Sequence, residues 1–459
     1  MVDAEILNTT LTVIGGGPGG YSAALRGAQL GADVILIEKE KLGGICLNNG
    51  CVPSKLLLYA TGILQQVHNA VKVGTLIGEA RLDMNCLLTH KNRLISDMIA
   101  ELETLFKRNG VQVVYGNGQL SSVGIVELDR KKGPLKIKSN AIIIATGSSP
   151  SIPSIPGVIH ADTTEQLPDL KRVPNSVVII GGGPEGIEFA TIFRDMGTNV
   201  TVVEATDHLL PLEDEDVSKV LEKVLCESGV NVFVKTIVSE ISESDGIRTV
   251  SIQQNEDKKK LSADVVVLAM GRKPNIENIG LDALSVSTTK GLIQVDQHMA
   301  TNINGIFAVG DVVGGGFAHV ASTQGAVAAE NAFGLDTVYD GHAIPRCIYS
   351  RPQVAVVGLS EKTARSKGFD VKIGKSKMNK NVKSLLIGET QGFAKILVES
   401  TSKKVLGVHI VGEHASEVIS EASLAIRLGA TADDIGGIIH PYPTFSEALS
   451  EAAREIEMN

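Results

Sequence analysis

Apolar runs that end at glycine-rich turns recur along the chain. Residues 11–39, LTVIGGGPGGYSAALRGAQLGADVILIEK, begin with an apolar strand, pass through a glycine-rich turn into a helix of small residues, and end in a second apolar strand. Residues 177–205, VVIIGGGPEGIEFATIFRDMGTNVTVVEA, repeat this pattern at an offset of 166 residues. Strands that alternate with helices in this way predict two α/β units, each built on a parallel sheet.

Further apolar runs predict more buried strands. AIIIATGSSP (141–150), VVVLAMGRKPN (265–275) and GIFAVGDVVGG (305–315) each end in a turn of small residues. A run of three lysines at 258–260 predicts a solvated turn.

Two other regions show different patterns of apolar residues. Residues 52–110 show apolar residues at helical spacing, with a second amphipathic run over 87–106. From about residue 341, short strand patterns precede two helical patterns over 415–428 and 445–456. This order is typical of a separate α+β domain.

The 459 residues are too many for one compact core, so two to four domains are expected. We predict an α/β fold with two Rossmann-like dinucleotide-binding domains and a C-terminal α+β domain. The first domain is discontinuous and comprises residues 1–150 and 273–340. The second comprises residues 151–272, and the third comprises residues 341–459.

Charge and composition narrow the function classes. The net charge of −9 argues against a nucleic-acid partner, because phosphate binding needs a basic face. No apolar run approaches the ~20 residues of a membrane span, and no secretory signal is evident. We therefore expect a cytoplasmic protein with no membrane or nucleic-acid partner. Five cysteines in so long a chain do not indicate a disulfide scaffold.

The glycine spacing of the two repeats predicts two dinucleotide sites. The first glycine makes a tight turn, the second lets the backbone approach a pyrophosphate, and the third lets helix and strand pack closely. The helix N-terminus stabilises the phosphate charge, and an acidic residue at the end of the second strand binds the ribose 2′-hydroxyl. The residues are Gly15, Gly17, Gly20 and Glu38 in the first repeat, and Gly181, Gly183, Gly186 and Glu204 in the second.

Neighbouring residues refine the choice of nucleotide. Glu204 would repel a 2′-phosphate, and no arginine follows it in VVEATDHLLP, so the second site favours NAD over NADP. The first site suits FAD or NAD. Strand ends add Thr146, Gly147 and Asp311 to the first site and Gly271 to the second. Asp311 could bond a ribityl hydroxyl, although a simple turn is the alternative.

A close cysteine pair, Cys46 and Cys51, flanks an Asn-Asn-Gly turn in GICLNNGC. A zinc site needs about four ligands, and no second pair joins these two, so we predict no metal. A passive disulfide would close a short loop and constrain the unfolded chain little. We favour a redox-active pair, because Cys51 begins a predicted helix whose partial positive charge favours a thiolate.

Several motifs together resemble the flavin-dependent pyridine nucleotide–disulfide oxidoreductases. They are GGICLNNGCVPSK, the twin dinucleotide repeats, AMGRKPN, NGIFAVGD and the C-terminal PTFSEA. Within that family the chain is most similar to the dihydrolipoamide dehydrogenase group. The resemblance implies FAD in the first site and NAD in the second. It also implies that Cys51 makes the charge-transfer contact with the flavin and that Cys46 exchanges with dihydrolipoamide or a lipoyl-bearing protein.

The resemblance assigns further residues. Lys55 matches the family lysine beside the flavin N5, and Glu188 matches its ion-pair partner. Without the resemblance, a helix-surface role would be the default for both. The resemblance also implies a homodimer in which the C-terminal domain of one subunit completes the active site of the other.

The C-terminal motif IIHPYPTFSEA (438–448) departs from the family pattern. The family base is a histidine before Pro-Thr, but this position is Tyr442, and the orienting glutamate is present as Glu447. A phenol, with a pKa near ~10, serves poorly as a base. Either His440, two residues earlier, replaces the base, or the natural acceptor is not free lipoamide. The resemblance also implies a cis bond before Pro443.

These departures leave other functions open. A tyrosine at this position is also similar to mercuric reductases, but the chain ends in EIEMN without their cysteine pair. The alternative enzyme is an NADH-dependent reductase of another disulfide, a protein-bound lipoyl partner or a metal ion. A subunit retained mainly for binding in a larger complex is a third hypothesis. Glu185, between the glycines of the second repeat, stands where apolar residues are usual in the family. Either it faces solvent, or it sits near the nicotinamide and alters its binding.

Overall fold

The computed structural model describes residues 5–71, 74–75, 78, 80–130 and 133–458. The helices are α1 (Pro18–Gln29), α2 (Gly44–Asn48), α3 (Cys51–Ala70), α4 (Met84–Arg108), α5 (Pro184–Asp195), α6 (Glu215–Glu227), α7 (Ala318–Ala332), α8 (Glu361–Ser366), α9 (Val382–Ile387), α10 (Ala415–Leu428), α11 (Ala432–Gly437) and α12 (Glu447–Met458).

The strands follow in chain order. They are β1 (Glu5–Ile14), β2 (Val34–Glu38), β3 (Gln112–Tyr115), β4 (Asn117–Ser122), β5 (Ile125–Asp129), β6 (Leu135–Ile144), β7 (Ser148–Pro150), β8 (Asp162–Thr163), β9 (Ser176–Ile180), β10 (Asn199–Val203), β11 (Asn231–Phe233), β12 (Ile237–Ser244), β13 (Ile247–Gln254), β14 (Asp257–Ala263), β15 (Val265–Leu268), β16 (Arg272–Pro274), β17 (Thr288–Thr289), β18 (Leu292–Ile293), β19 (Ile306–Ala308), β20 (Arg346–Ile348), β21 (Gln353–Gly358), β22 (Val371–Lys377), β23 (Phe393–Glu399) and β24 (Val405–Gly412).

The chain divides into two compact units. The first contains residues 1–53, 85–151 and 272–340, and the second contains residues 54–84, 152–271 and 341–459. Among the described residues, no helix is both long enough and apolar enough to cross a membrane.

The first unit is built on a sheet with the order β3-β2-β1-β6-β5-β4, and β19 pairs with β6. Strands β1, β2, β3, β6 and β19 are parallel, while β4 and β5 pair antiparallel. Leu11 and Val13 of β1 pack into the core on one face, and Ile14 packs into the core on the other. Burial on both faces explains why these strands are continuous apolar runs in the sequence.

The second unit contains a parallel sheet and two antiparallel sheets. The parallel sheet has the order β11-β10-β9-β15-β8, and β9, α5 and β10 repeat the arrangement of β1, α1 and β2. A hairpin sheet follows with the order β12-β13-β14, and the C-terminal part forms the sheet β20-β21-β24-β23-β22. Helices α10, α11 and α12 share a buried core with this last sheet. The predicted α/β class, with two Rossmann-like regions and a C-terminal α+β region, is confirmed.

Ion pairs join the parallel sheet of the second unit to its C-terminal sheet. Lys395 on β23 is 2% exposed, and its Nζ lies 2.9 Å from Asp214 Oδ1 and 3.1 Å from Asp216 Oδ2. Arg346 on β20 donates two hydrogen bonds to the Glu213 carboxylate, at 3.0 and 2.8 Å. Both contacts hold the segment before α6 against the C-terminal sheet.

The structure corrects some sequence expectations. The lysines 258–260 are exposed as predicted, but they lie on β14 and not in a turn. Strand β14 forms one edge of the hairpin sheet, where lysines discourage pairing with another chain. The last helix begins at Glu447, two residues later than the pattern predicted. Within the predicted helical stretch 52–110, residues 72–73, 76–77 and 79 lie outside the described residues. The domain boundaries given above stay predictions.

Candidate active site

The two cysteines lie on consecutive helices. Cys51 is the first residue of α3, as predicted, and Cys46 is the third residue of the short helix α2. Burial raises the pKa of Tyr21 on α1, and negative charge on Cys46 and Cys51 raises it further, although a hydrogen bond with Ser322 opposes this.

Close backbone packing fixes the cysteine helix against the first nucleotide turn. A Cβ built on Gly44, the first residue of α2, would lie 2.8 Å from the Cα of Gly17. Real Cβ atoms do not approach a backbone carbon so closely, so position 44 requires glycine. The pair of cysteines and the first glycine motif are therefore parts of one local structure.

The first glycine motif has two kinds of glycine. A Cβ on Gly15, whose φ is +107°, would lie 2.2 Å from Ala145 O, and one on Gly20 would lie 1.7 Å from Gly15 O. These two are glycine because backbone packs on backbone. Gly17 has an extended backbone (φ −77°, ψ −173°), and a Cβ there would approach nothing closer than Gly44 Cα at 3.8 Å. Internal packing therefore does not explain Gly17, whereas the approach of a ligand does.

The second glycine motif repeats this geometry. A Cβ on Gly181 would lie 2.2 Å from Ala269 O, and one on Gly186 would lie 2.0 Å from Gly181 O. In the described part of the chain, no atom lies within 4 Å of a Cβ built on Gly183. Among the described residues, no side chain caps the start of α1 or α5. The N–H groups of both helix starts are thus disposed to bind a pyrophosphate.

The two glutamates occupy matching positions. Glu38 is 6% exposed, and its carboxylate accepts from Gly16 N at 2.8 Å and from Glu40 N at 2.7 Å. Glu204 is 8% exposed, and it accepts from Gly182 N at 2.6 Å and from the backbone of Thr206 at 2.7 Å. A carboxylate has about four lone pairs, so each retains acceptor capacity for ribose hydroxyls. The residues present fit a dinucleotide at both motifs.

The remaining predicted cofactor residues lie at strand ends. Thr146 Oγ1 donates to Asn275 O at 2.7 Å, and Gly147 follows it with φ +69°. Asp311, in a 3₁₀ turn, accepts from Ser148 Oγ at 2.5 Å. Gly271 ends the run after β15 in the second unit. The structure thus brings Thr146, Gly147 and Asp311 into one region of the first unit, while their contacts with FAD stay a prediction.

Lys55 and Glu188 form an ion pair. Lys55 Nζ lies 2.7 Å from Glu188 Oε2, and Glu188 is 5% exposed. The other carboxylate oxygen, Oε1, accepts from Tyr349 N at 3.0 Å. The Lys55 ammonium also lies 4.9 Å from the centre of the Tyr349 ring. The lysine is therefore held in a fixed position one helical turn after Cys51 on α3.

His440 and Tyr442 have different surroundings. The His440 side chain is 6% exposed, its Nδ1 lies 3.1 Å from Ile438 O, and its Nε2 lies 3.2 Å from Glu421 Oε1. Both ring nitrogens therefore contact oxygen atoms of their own subunit. Tyr442 is 72% exposed. The implied cis bond between Tyr442 and Pro443 is present.

Glu447 begins α12 and reaches back along the chain. Its Oε2 accepts from Thr444 N at 2.9 Å, which satisfies a backbone donor ahead of the helix. The orienting role that the family resemblance gives to Glu447 stays a prediction.

Sequence reasoning missed several neighbours of these residues. Tyr349 lies 161 residues from Glu188, while Glu421 lies 19 residues from His440 and Thr164, which donates to Glu185 Oε2, lies 21 residues from it. No local pattern marks any of the three. Burial, followed by the charge of Glu417, raises the pKa of Cys347 to about 11, so this thiol stays protonated near neutral pH. Among the described residues, no cluster of three or more histidine, cysteine or acidic side chains is arranged to hold a metal ion.

Known proteins share this architecture over the whole chain. Residues 9–325 match the pyridine nucleotide-disulphide oxidoreductase family, and residues 344–453 match the dimerisation domain of that family. A dihydrolipoyl dehydrogenase of Bacillus subtilis (strain 168) is 37% identical, over 96% of this chain and 97% of its own. A dihydrolipoyl dehydrogenase of Geobacillus stearothermophilus is 36% identical, over 97% and 96%.

A solved structure shows the same fold. The HOCl-induced flavoprotein disulfide reductase RclA from Escherichia coli, as a Cu(II) complex, aligns with a TM-score of 0.87. The alignment covers 98% of this chain and 99% of that one, at 24% sequence identity. The enzyme uses FAD and NAD(H), and the assignment of FAD to the first glycine motif and NAD to the second stays a prediction. The chain belongs to the pyridine nucleotide-disulphide oxidoreductase family, as an FAD-dependent, NAD-linked enzyme that acts on sulfur groups.

Proposed function

We propose that the enzyme oxidises dihydrolipoamide, free or attached to a lipoyl-bearing protein, with NAD⁺ as the final acceptor. The observation that carries this proposal is the placement of Cys51 at the first residue of α3, with Cys46 on the helix before it. The helix start favours the thiolate of Cys51, as redox dithiols require. Relatives that are 35–37% identical over nearly the whole chain carry the name dihydrolipoyl dehydrogenase.

The proposed reaction moves two electrons and balances in thiols and protons. The dihydrolipoamide dithiol attacks the Cys46–Cys51 disulfide at Cys46, closes its own disulfide, and leaves both enzyme sulfurs reduced. Two thiol protons leave dihydrolipoamide in this exchange; one accompanies the electron pair when it passes on as a hydride, and the other is released to solvent. Bound FAD and NAD⁺ supply the acceptor chemistry that takes the electrons onward as a hydride. The Lys55–Glu188 pair holds a cation at a fixed point one turn beyond Cys51, where it orients and compensates negative charge.

We propose that the active form is a homodimer. The match to the family's dimerisation domain supports this, as do exposed apolar side chains on the C-terminal part. Leu428 is 73% exposed, Ile439 is 95% exposed and Tyr442 is 72% exposed. In such a dimer Tyr442 and Glu447 would face the partner subunit. The cytoplasmic location stays a prediction.

The C-terminal motif favours a second candidate function. Each ring nitrogen of His440 already contacts an oxygen, Ile438 O or the Glu421 carboxylate, so one of these contacts must break before that nitrogen can accept a thiol proton. Tyr442 is exposed, but its phenol is a poor base near neutral pH. The second candidate is therefore an NADH-dependent reductase of another disulfide, a protein-bound lipoyl partner or a metal ion, for which rapid deprotonation of free dihydrolipoamide is not needed.

Steady-state turnover separates these candidates. We would measure NAD⁺-linked oxidation of dihydrolipoamide by the FAD-loaded wild type, Tyr442→His and His440→Gln. Turnover of the wild type at ~1–1000 per second supports the proposal, and a large loss in His440→Gln would show that His440 acts as the base. A nearly inactive wild type together with a gain of ~100-fold or more in Tyr442→His would favour the second candidate. Failure of NADH to reduce the flavin would instead support a subunit retained for binding.

A further inference from the structure

Glu185 sets the second dinucleotide motif apart from the first. It is the second residue of α5, and its Oε2 accepts from Thr164 Oγ1 at 2.8 Å. Thr164 is 5% exposed, so this donor is held in place by its surroundings. At the offset of 166 residues the first motif has Gly19, where a Cβ would meet Val309 Cγ2 at 3.0 Å. Only the second motif therefore carries a carboxylate at the start of its helix.

The neighbours of Glu185 locate it along the bound dinucleotide. Glu204, at the end of β10, is placed to bind the adenosine ribose, and the start of α5 is placed to bind the pyrophosphate. Glu188 follows Glu185 by three residues, so both lie on one face of α5. That face contacts Lys55, which lies on α3 one turn after Cys51. Glu185 thus lies on the side of the pyrophosphate that leads towards the reacting nicotinamide and away from adenosine.

A carboxylate in this position distinguishes the two forms of the cofactor by charge. Two phosphates give NADH two negative charges, whereas the cationic ring of NAD⁺ cancels one of them. Repulsion from a fixed anion is therefore greater for NADH than for NAD⁺. The hydrogen bond from the Thr164 hydroxyl restricts the movement of the Glu185 carboxylate.

We infer that Glu185 is a specificity-determining residue that favours binding of NAD⁺ over NADH. This inference rests on the proposed function, in which NAD⁺ enters as substrate and NADH leaves as product. A weaker hold on NADH limits inhibition by the product and favours the oxidation of thiols.

Binding titrations on the oxidised, FAD-loaded dimer test the inference without any thiol substrate. We would measure dissociation constants by calorimetry for NAD⁺, ADP-ribose and the 1,4,5,6-tetrahydro analogue of NADH, which cannot donate a hydride. The variants are Glu185→Gln and, as a control for net charge, Glu240→Gln on an exposed position of β12. Glu185→Gln should change the ratio of the two nicotinamide affinities by about tenfold in favour of the reduced analogue. Glu240→Gln should leave the ratio unchanged.

Other outcomes would contradict the inference. Equal tightening of all three ligands in Glu185→Gln would show that the carboxylate repels only the pyrophosphate. The same ratio change in Glu240→Gln would reduce the effect to net charge. Raised salt offers a test on the wild type alone, because screening should shrink its preference for NAD⁺ and a preference independent of salt would overturn the inference. Since no thiol is present, these results hold whether or not dihydrolipoamide is the substrate.

Discussion

The buried Lys395 cluster provides the sharpest test of how the second unit is held together. Lys395→Met removes the ammonium group but keeps a side chain of similar length. The change leaves the carboxylate of Asp214, 4% exposed, beside that of Asp216 without the ammonium at 2.9 and 3.1 Å. The third carboxylate of the cluster, Glu361, loses a contact at 3.2 Å. Three acidic groups then share the remaining positive charge of Lys375, 2.9 Å from Asp216.

The expected loss of stability is large. Removing one partner of a buried ion pair costs about 3–5 kcal/mol, because the other charge stays buried without compensation. In a unit of this size that corresponds to a fall in apparent melting temperature of roughly 5–15 °C. The exposed pair of Lys403 and Asp433, with side chains 46% and 48% exposed, is the matched control. Lys403→Met should cost about 0–1 kcal/mol.

The loss should also depend on pH. Burial alone would raise the pKa of Asp214, but the charge that His409 carries when it is protonated and the hydrogen bond from Lys395 hold that pKa below its usual value. Burial lowers the pKa of His409 itself, so near pH 7 the cation that acts on Asp214 is Lys395. The ionised carboxylate therefore stabilises the fold above the ordinary pKa near ~3.9, and this contribution is lost as the pH falls through the lowered folded value. The difference between wild type and Lys395→Met should be greatest near pH 7 and shrink towards pH 4, where the variant's Asp214 is protonated.

The melting temperature is measured by thermal unfolding at fixed protein concentration and saturating FAD. Circular dichroism and flavin fluorescence are the two probes of unfolding. The double variant with Asp214→Asn should recover part of the loss, since the buried anion is gone. A fall of less than 2 °C in Lys395→Met, or a loss equal to that of Lys403→Met, would refute the reasoning. A loss that does not change between pH 7 and pH 4.5 would show that lost packing, and not charge, is responsible.

Three further predictions concern the active site. Gly183→Ala should weaken NAD⁺ binding about tenfold, as measured by calorimetry, and should leave the melting temperature unchanged. Gly186→Ala should lower the melting temperature by several degrees in thermal unfolding, because its Cβ would meet a main-chain oxygen at 2.0 Å. Cys51→Ser should abolish the long-wavelength band that NADH produces anaerobically, and Cys46→Ser should retain it; a band that persists in Cys51→Ser would contradict the assignment. Glu188→Gln should slow flavin reduction by NADH roughly tenfold in stopped flow, and an unchanged rate would deny the ion pair a role.

Features that act within one short stretch could be predicted from the sequence. The turns at Gly15 and Gly181 need a positive φ and close backbone contact. The spacing of the glycines in each motif indicates both requirements. Cys51 begins a helix because Pro53 and a periodic apolar face follow it. The buried strands follow from continuous apolar runs, and a repeat at a fixed offset reveals the duplication. The fold class and the two nucleotide sites therefore needed no long-range information.

Features that depend on distant partners could not be predicted. Nothing near Lys395 indicates that β23 will bury it against Asp214, which is 181 residues away in the chain. The lysines 258–260 resemble a loop by composition, yet pairing with β13 makes them part of an edge strand. Glu421 is another such case, because its contact with His440 depends on how α10 lies beside the C-terminal turn. Each outcome is decided by tertiary packing that overrides local propensity.

His440 and Tyr442 differ in how each could replace the missing catalytic base. A base must present an unprotonated nitrogen to the thiol, whereas both nitrogens of His440 face oxygen acceptors within its own subunit. Freeing Nε2 would also leave the carboxylate of Glu421, 28% exposed, without that contact. The exposed Tyr442, in contrast, is free to enter a subunit interface, where its hydroxyl can donate a hydrogen bond to a thiolate but not remove a thiol proton. The Tyr442 hydroxyl in that interface therefore stabilises a thiolate that already exists more readily than it deprotonates a thiol. This favours substrates that arrive as thiolates or as disulfides.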